Sequence, residues 1–151
     1  MSLDAAPALD LEFAFQVRIE FRDRVMFPPT PNGGRGYVSV ARGEVEGPRL
    51  HGRVIPNSGA DWALVRQDGT LEINAHYMLE ASDGTPIYLQ NRGFLHRSNP
   101  TEFQPSYFVI APTFDVPVGP HDWLTRTVIV GKGERKRDPD HSVFTYFAVR
   151  S

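Results

Sequence analysis

The chain has 151 residues, 40% of them hydrophobic and 23% charged, a balance that supports one domain with a real core and excludes the disordered regime. Its formal net charge of −2 supplies no basic field for nucleic acid. The absence of cysteine removes disulfides, thiolate metal sites and cysteine nucleophiles together, and it is compatible with a reducing compartment.

The opening stretch MSLDAAPALD is expected to be a flexible N-terminus over 1–10, ahead of a single domain over 11–151. It carries neither a charged leader nor a long apolar run. No later segment approaches the roughly 20 apolar residues of a spanning helix, so a soluble, cytoplasmic chain without membrane contact is expected. Leu11 to Phe21 then alternates, with Leu11, Phe13, Phe15, Val17, Ile19 and Phe21 on one face, and this predicts a core-forming strand. Pro28 to Gly34 reads as a connecting loop. Gly36 to Val45 predicts a second strand interrupted at Arg42-Gly43, and Gly47-Pro48 marks a turn into Arg49 to Ile55. No helix pattern follows these glycines and the P-loop lysine is missing, so they mark bulges and corners rather than a phosphate loop.

Gly52 to Phe94 organises the chain. Asp68-Gly69 and Asp83-Gly84 supply the positive φ angles of tight hairpins, and the segment between them places Leu71, Ile73, Ala75, Tyr77 and Leu79 on one face. The result is a three-stranded meander. Arg92 to Gln104 holds the one helical turn expected, with Asn99 as its cap before Pro100. Ser106 to Phe114, with Pro112 inside it, predicts an edge or bulged strand. Leu124 to Val130 and Val143 to Val149 predict the last two strands, and the charge run Lys132 to Arg137 reads as a solvated hairpin tip between them. About nine or ten short strands at roughly 8 to 12 residue spacing make an all-β sandwich or barrel.

The five histidines, His51, His76, His96, His121 and His141, form no local ligand pair, so no metal and no cofactor is expected. Ser58 lacks the strand-to-helix setting of a nucleophile elbow, which disfavours a serine hydrolase. Asp61 stands against Trp62: a carboxyl so placed is either the cap of a turn or a desolvated group with its pKa raised toward neutrality, fit for general acid or base work. His76, with Asn74 two residues away on the same strand face, is the next candidate base or else a surface histidine. Arg126, expected on a strand face with Leu124 and Val128, either reaches into a cavity to hold an oxyanion or snorkels at a barrel end. Trp62, Tyr77, Tyr88, Tyr107 and Trp123, with Phe108 and Tyr146, furnish either an apolar pocket with polar tips or plain core.

The runs GEVEGPRLHGRVIP, ADW, RQDGTLEINAHYMLEASDGTPIY, YFVIAPTF and WLTR with a closing FAV resemble a family of small bacterial and fungal proteins, domain of unknown function 3237, over nearly the whole chain. The resemblance implies a closed or nearly closed antiparallel β-barrel, broadly calycin-like, with at most one short helix and no established activity. Where relatives read Leu-Asp-Ala-Arg-Tyr, this chain has Ile73-Asn74-Ala75-His76-Tyr77, so a charged pair on one strand face is replaced by a neutral polar one. Thr125 stands where many relatives place Asn before Arg126.

Three expectations follow. The first is a cofactor-independent isomerase, cyclase or lyase acting on a small apolar molecule, with Asp61, His76 and Arg126 as the reacting groups and Trp62, Asn74, Tyr77, Tyr88, Tyr107 and Trp123 holding the substrate. The second is a non-catalytic protein that binds a hydrophobic ligand, and the third a structural or partner-binding module. A homodimer through an open sheet face is expected alongside them.

Overall fold

The computed structural model describes residues 3–151, and the part of the expected flexible N-terminus at 1–2 lies outside them. Ten antiparallel strands build one sheet: β1 (Asp10–Met26), β2 (Gly34–Glu46), β3 (Gly52–Val54), β4 (Ala60–Asp61), β5 (Leu64–Val65), β6 (Leu71–Ala81), β7 (Pro86–His96), β8 (Tyr107–Asp115), β9 (Ile129–Lys136) and β10 (His141–Arg150). The sheet closes because β1 pairs with β10 on one side and with β2 on the other. Three short strands, β3, β4 and β5, share one place between β2 and β6, so eight positions go round the barrel. An eight-position barrel is just wide enough to be filled by side chains or to hold one small ligand.

The expected meander is present, with its first strand broken into β3, β4 and β5. Gly69 at φ 85° and Gly84 at φ 89° turn its two hairpins, and Ile73, Ala75, Tyr77 and Leu79 of β6 are all buried. They join Phe15, Val17, Ile19, Leu89, Ile110, Phe144 and Tyr146 in a core that fills one end of the barrel and thins toward the other.

Three local expectations are corrected. The β1 alternation does not run unbroken: a register shift between Phe13 and Phe15 leaves Ala14 as an extra inward residue, so Phe13 is 41% exposed and packs on Phe147 at 6.3 Å outside the barrel. A second shift between Phe21 and Arg24 carries the strand on to Met26 and turns Arg24 toward the barrel end. No helix forms over 92–104. Asn99 caps a simple turn there by accepting the Thr101 N–H at 3.1 Å, because Ser98, Pro100 and Pro105 leave too short a run for a helix. The single helical turn of the described residues is a 3₁₀ segment, Asp122–Thr125, which seals the far end with Leu124 and Trp123.

Candidate functional site

Asp61 is placed by β4, two residues long and held on both edges. Val40 N–H donates to Gly59 O at 2.9 Å and Trp62 N–H to Asn74 O at 3.0 Å. Gly59 permits this approach, since a Cβ there would lie 1.7 Å from the His76 carbonyl oxygen. In register, Asp61 faces Ala75, and Ala75 faces Asn91. The three side chains therefore form an inward row across β4, β6 and β7, with the small alanine leaving space between acid and amide.

That space belongs to an interior cavity of about 120 Å³, walled by Ile19, Val38, Val40, Ile73, Phe108 and Phe144 together with Asp61, Tyr77 and Asn91. Asp61 is half-buried, and its carboxyl accepts the Asn74 N–H at 3.0 Å. Burial pushes its pKa up to about 6, against the lowering pull of that hydrogen bond and of the Arg24 charge. It is both an anchored acid and a desolvated one.

Behind it lies a buried polar chain. Tyr146 donates its hydroxyl to Asn91 Oδ1 at 3.1 Å, and Asn91 Nδ2 donates to Tyr77 Oη at 3.2 Å. Asn91 is 1% exposed and Tyr77 2%. Burial, with the neighbouring Tyr146 and the Asp61 charge adding to it, holds Tyr77 well above the ordinary tyrosine value, and burial raises Tyr146 also. Both phenols therefore keep their protons, and the oxygen of Tyr77 is already occupied as an acceptor.

The other candidates lie elsewhere. His76 points outward: its Nδ1 meets Tyr88 Oη at 2.5 Å and its Nε2 meets Asn74 Oδ1 at 3.1 Å, so the three residues form a network on the outer face of β6 and β7. Trp62 is exposed and lies against Tyr37 with ring centroids 4.7 Å apart, and Tyr107 is exposed as well. These five belong to the outside of the wall: Trp62, Asn74, His76 and Tyr88 have the opposite parity to Asp61, Ala75 and Tyr77, and Tyr107 the opposite parity to the buried Phe108 and Ile110 of its own strand. Trp123 packs at the sealed end under Arg49, whose guanidinium carbon sits 3.8 Å from the ring centroid. Arg126 does not reach a cavity. It follows the 3₁₀ turn rather than lying on a strand, its side chain is 67% exposed, and it pairs with Asp122 at 3.0 Å.

The charge run is corrected too. Lys132 to Lys136 belongs to β9, and Arg135 is not at a solvated tip: its side chain is 12% exposed, donates to Ser142 Oγ at 2.7 Å and lines the cavity's open end. Asn91 carried a usable signal, an amide at an inward position two residues from Leu89. Arg135 carried one as well, since it continues the period-two row of Ile129, Gly131 and Gly133, but the surrounding charge run masked it.

The fold and site together define a small closed antiparallel β-barrel with an inward-facing acid in a ligand-sized cavity. The chain belongs to the family described as protein of unknown function DUF3237, whose model matches residues 9–149. A crystal structure of a β-barrel-like protein from Acinetobacter baumannii superposes with a TM-score of 0.86 at 28% identity, covering 97% of this chain and 99% of that one. A UPF0311 protein of Rhodopseudomonas palustris is 28% identical over 142 residues, 87% of this chain and 92% of that protein. A protein from Penicillium herquei described as an enzyme shares the fold at 21% identity and a TM-score of 0.76, covering 98% of this chain and 100% of that one.

Proposed function

We propose that the protein is a cofactor-independent acid–base catalyst for a small, largely apolar carbonyl compound, performing an isomerisation, cyclisation or elimination inside the barrel. One observation carries this: the Asp61 carboxyl lines a largely apolar interior cavity with its pKa pushed up to about 6, the range in which a carboxyl both takes and returns a proton near neutral pH. Tyr77 supplies the complement. Its oxygen accepts from Asn91 and its hydroxyl lies within reach of Tyr146, so its proton can turn from Tyr146 to an oxygen that gains negative charge as Asp61 removes a proton from the adjacent carbon. The Penicillium herquei protein fits this reading at the level of scaffold. A cavity of about 120 Å³ admits a single six-membered ring, since engineered cavities of roughly 150 Å³ take up benzene.

Deuterium uptake from D₂O by cyclohexanone, cyclohex-2-enone and acetophenone, followed by NMR, tests the reading. The expected rate rises through about pH 6 to a plateau, falls by about 10² or more in Asp61→Asn, and falls by about tenfold or more in Tyr77→Phe. Ketones that bind with no exchange above buffer would instead mark a non-catalytic binding protein.

A further inference from the structure

The open end of the cavity is framed by two arginines from β1 and β9, the two strands that flank β10. Arg24 of β1 and Arg135 of β9 both line the interior space and both line a second, outer hollow of about 440 Å³, so they stand at the boundary between the two. Their guanidinium carbons lie 5.5 Å and 5.3 Å from the centroid of the same ring, Phe21. They share a single carboxylate: Arg24 meets Asp140 Oδ2 at 2.6 Å, and Arg135 binds Asp140 Oδ1. In the outer hollow Arg137 stacks over Phe103 at 3.9 Å. Its charged lining is Arg24, Arg135 and Arg137 against Asp138 and Asp140, three positive to two negative. Arg97 adds its charge close by.

We infer that this arginine pair is an anion subsite, and that the barrel's ligand is a ring-sized molecule bearing a carboxylate or phosphate whose ring enters the inner cavity while its anionic group sits between Arg24 and Arg135. Two guanidiniums that face one carboxylate keep unused N–H donors and an uncompensated charge, in a partly dehydrated setting where such contacts are strong. The Phe21 ring, over which both guanidiniums lie, matches a ligand that changes from polar to apolar at that depth. Asp61 flanks Val38 of β2 on the side opposite Arg24, in the same cross-strand row, so an anion held by the arginines keeps the ring beside that carboxyl. The inference rests on the proposed function only in placing the ring beside Asp61; the binding preference itself is independent of any reaction.

Calorimetric titration with benzoate, phenyl phosphate and the neutral benzamide, at one ionic strength, reads the preference directly. Wild-type protein is expected to bind benzoate or phenyl phosphate at least tenfold more tightly than benzamide, and the order of the two anions identifies the preferred group. Arg24→Gln, an exposed change that leaves Arg135 to brace β10, is expected to lose most of that preference while keeping the benzamide affinity. Asp140→Asn is expected to raise benzoate affinity several-fold, because it removes the resident competitor. Equal affinity for benzoate and benzamide, no binding of any of the three, or a preference unchanged in both Arg24→Gln and Arg135→Gln proteins of native circular dichroism overturns the inference. Ketone exchange that fails while the anion preference stands removes the catalytic proposal alone.

Discussion

Asp61 stabilises the fold less when it is charged, and the sign follows from its burial. Its folded pKa of about 6 lies above its ordinary 3.8, so the folded protein holds the proton more tightly than the unfolded chain does. The contribution is favourable below about pH 4 and is lost as pH rises through 6, by roughly 3 kcal/mol at about 1.4 kcal/mol per unit. Urea unfolding of wild type and Asp61→Asn at a series of pH values checks this. The difference between them should grow in favour of the variant from about pH 3 to about pH 7, since an amide oxygen can still accept the Asn74 N–H. Asn91 presents the opposite case. It satisfies two buried phenols at once, so Asn91→Leu is expected to cost about 2 to 4 kcal/mol in the same assay by orphaning both hydroxyls.

At the scale of the strand, β4 is too short to hold itself, and its position depends on how closely Gly59 lets the backbone approach β6. Gly59→Ala would place a methyl 1.7 Å from the His76 carbonyl oxygen, a backbone contact that cannot rotate away. Gly84→Ala meets nothing within 4 Å and bears only the strain of φ 89°. The hairpin variant is therefore expected to lose about 1 to 2 kcal/mol. The Gly59 variant should lose more than that and should also displace Asp61, so that its carboxyl pKa, followed by NMR titration, falls back from about 6 toward 3.8. Equal losses in the two variants, with the Asp61 titration unchanged, would show that β4 is held by something other than the Gly59 approach.

Over the whole molecule, barrel closure is uneven. β8 pairs with β7 along nine positions from Tyr107 to Asp115, but with β9 only at Val109 and Ile110. Pro112, opposite Asn91 on the β7 side, can donate no hydrogen bond to either neighbour, and the sheet parts beyond Ile110. Hydrogen exchange should reveal this seam: β8 amides turned toward β9 beyond Ile110 are expected to exchange at least about 10²-fold faster than those paired between β6 and β7. Among the described residues no helix is long and apolar enough to cross a membrane.

The strands, their hairpins and the inward face of β6 were legible in the sequence, because period-two alternation and Asp-Gly turns are local: each residue's neighbours in sequence set its conformation. Asp61 was legible for the same reason, as an acid beside a tryptophan at a strand start. What the tertiary structure alone decided was which face of each wall looks inward. The bulges at Ala14 and at Arg22-Asp23 reverse parity along β1, moving Phe13 outside and Arg24 to the cavity mouth. His76, Asn74 and Tyr88 share one surface network only because β6 and β7 are held in one register. Arg135 meets Asp140 within the β9 to β10 hairpin, but Arg24 reaches that pair only because the barrel closes through the pairing of β1 with β10, joining residues 116 positions apart in sequence.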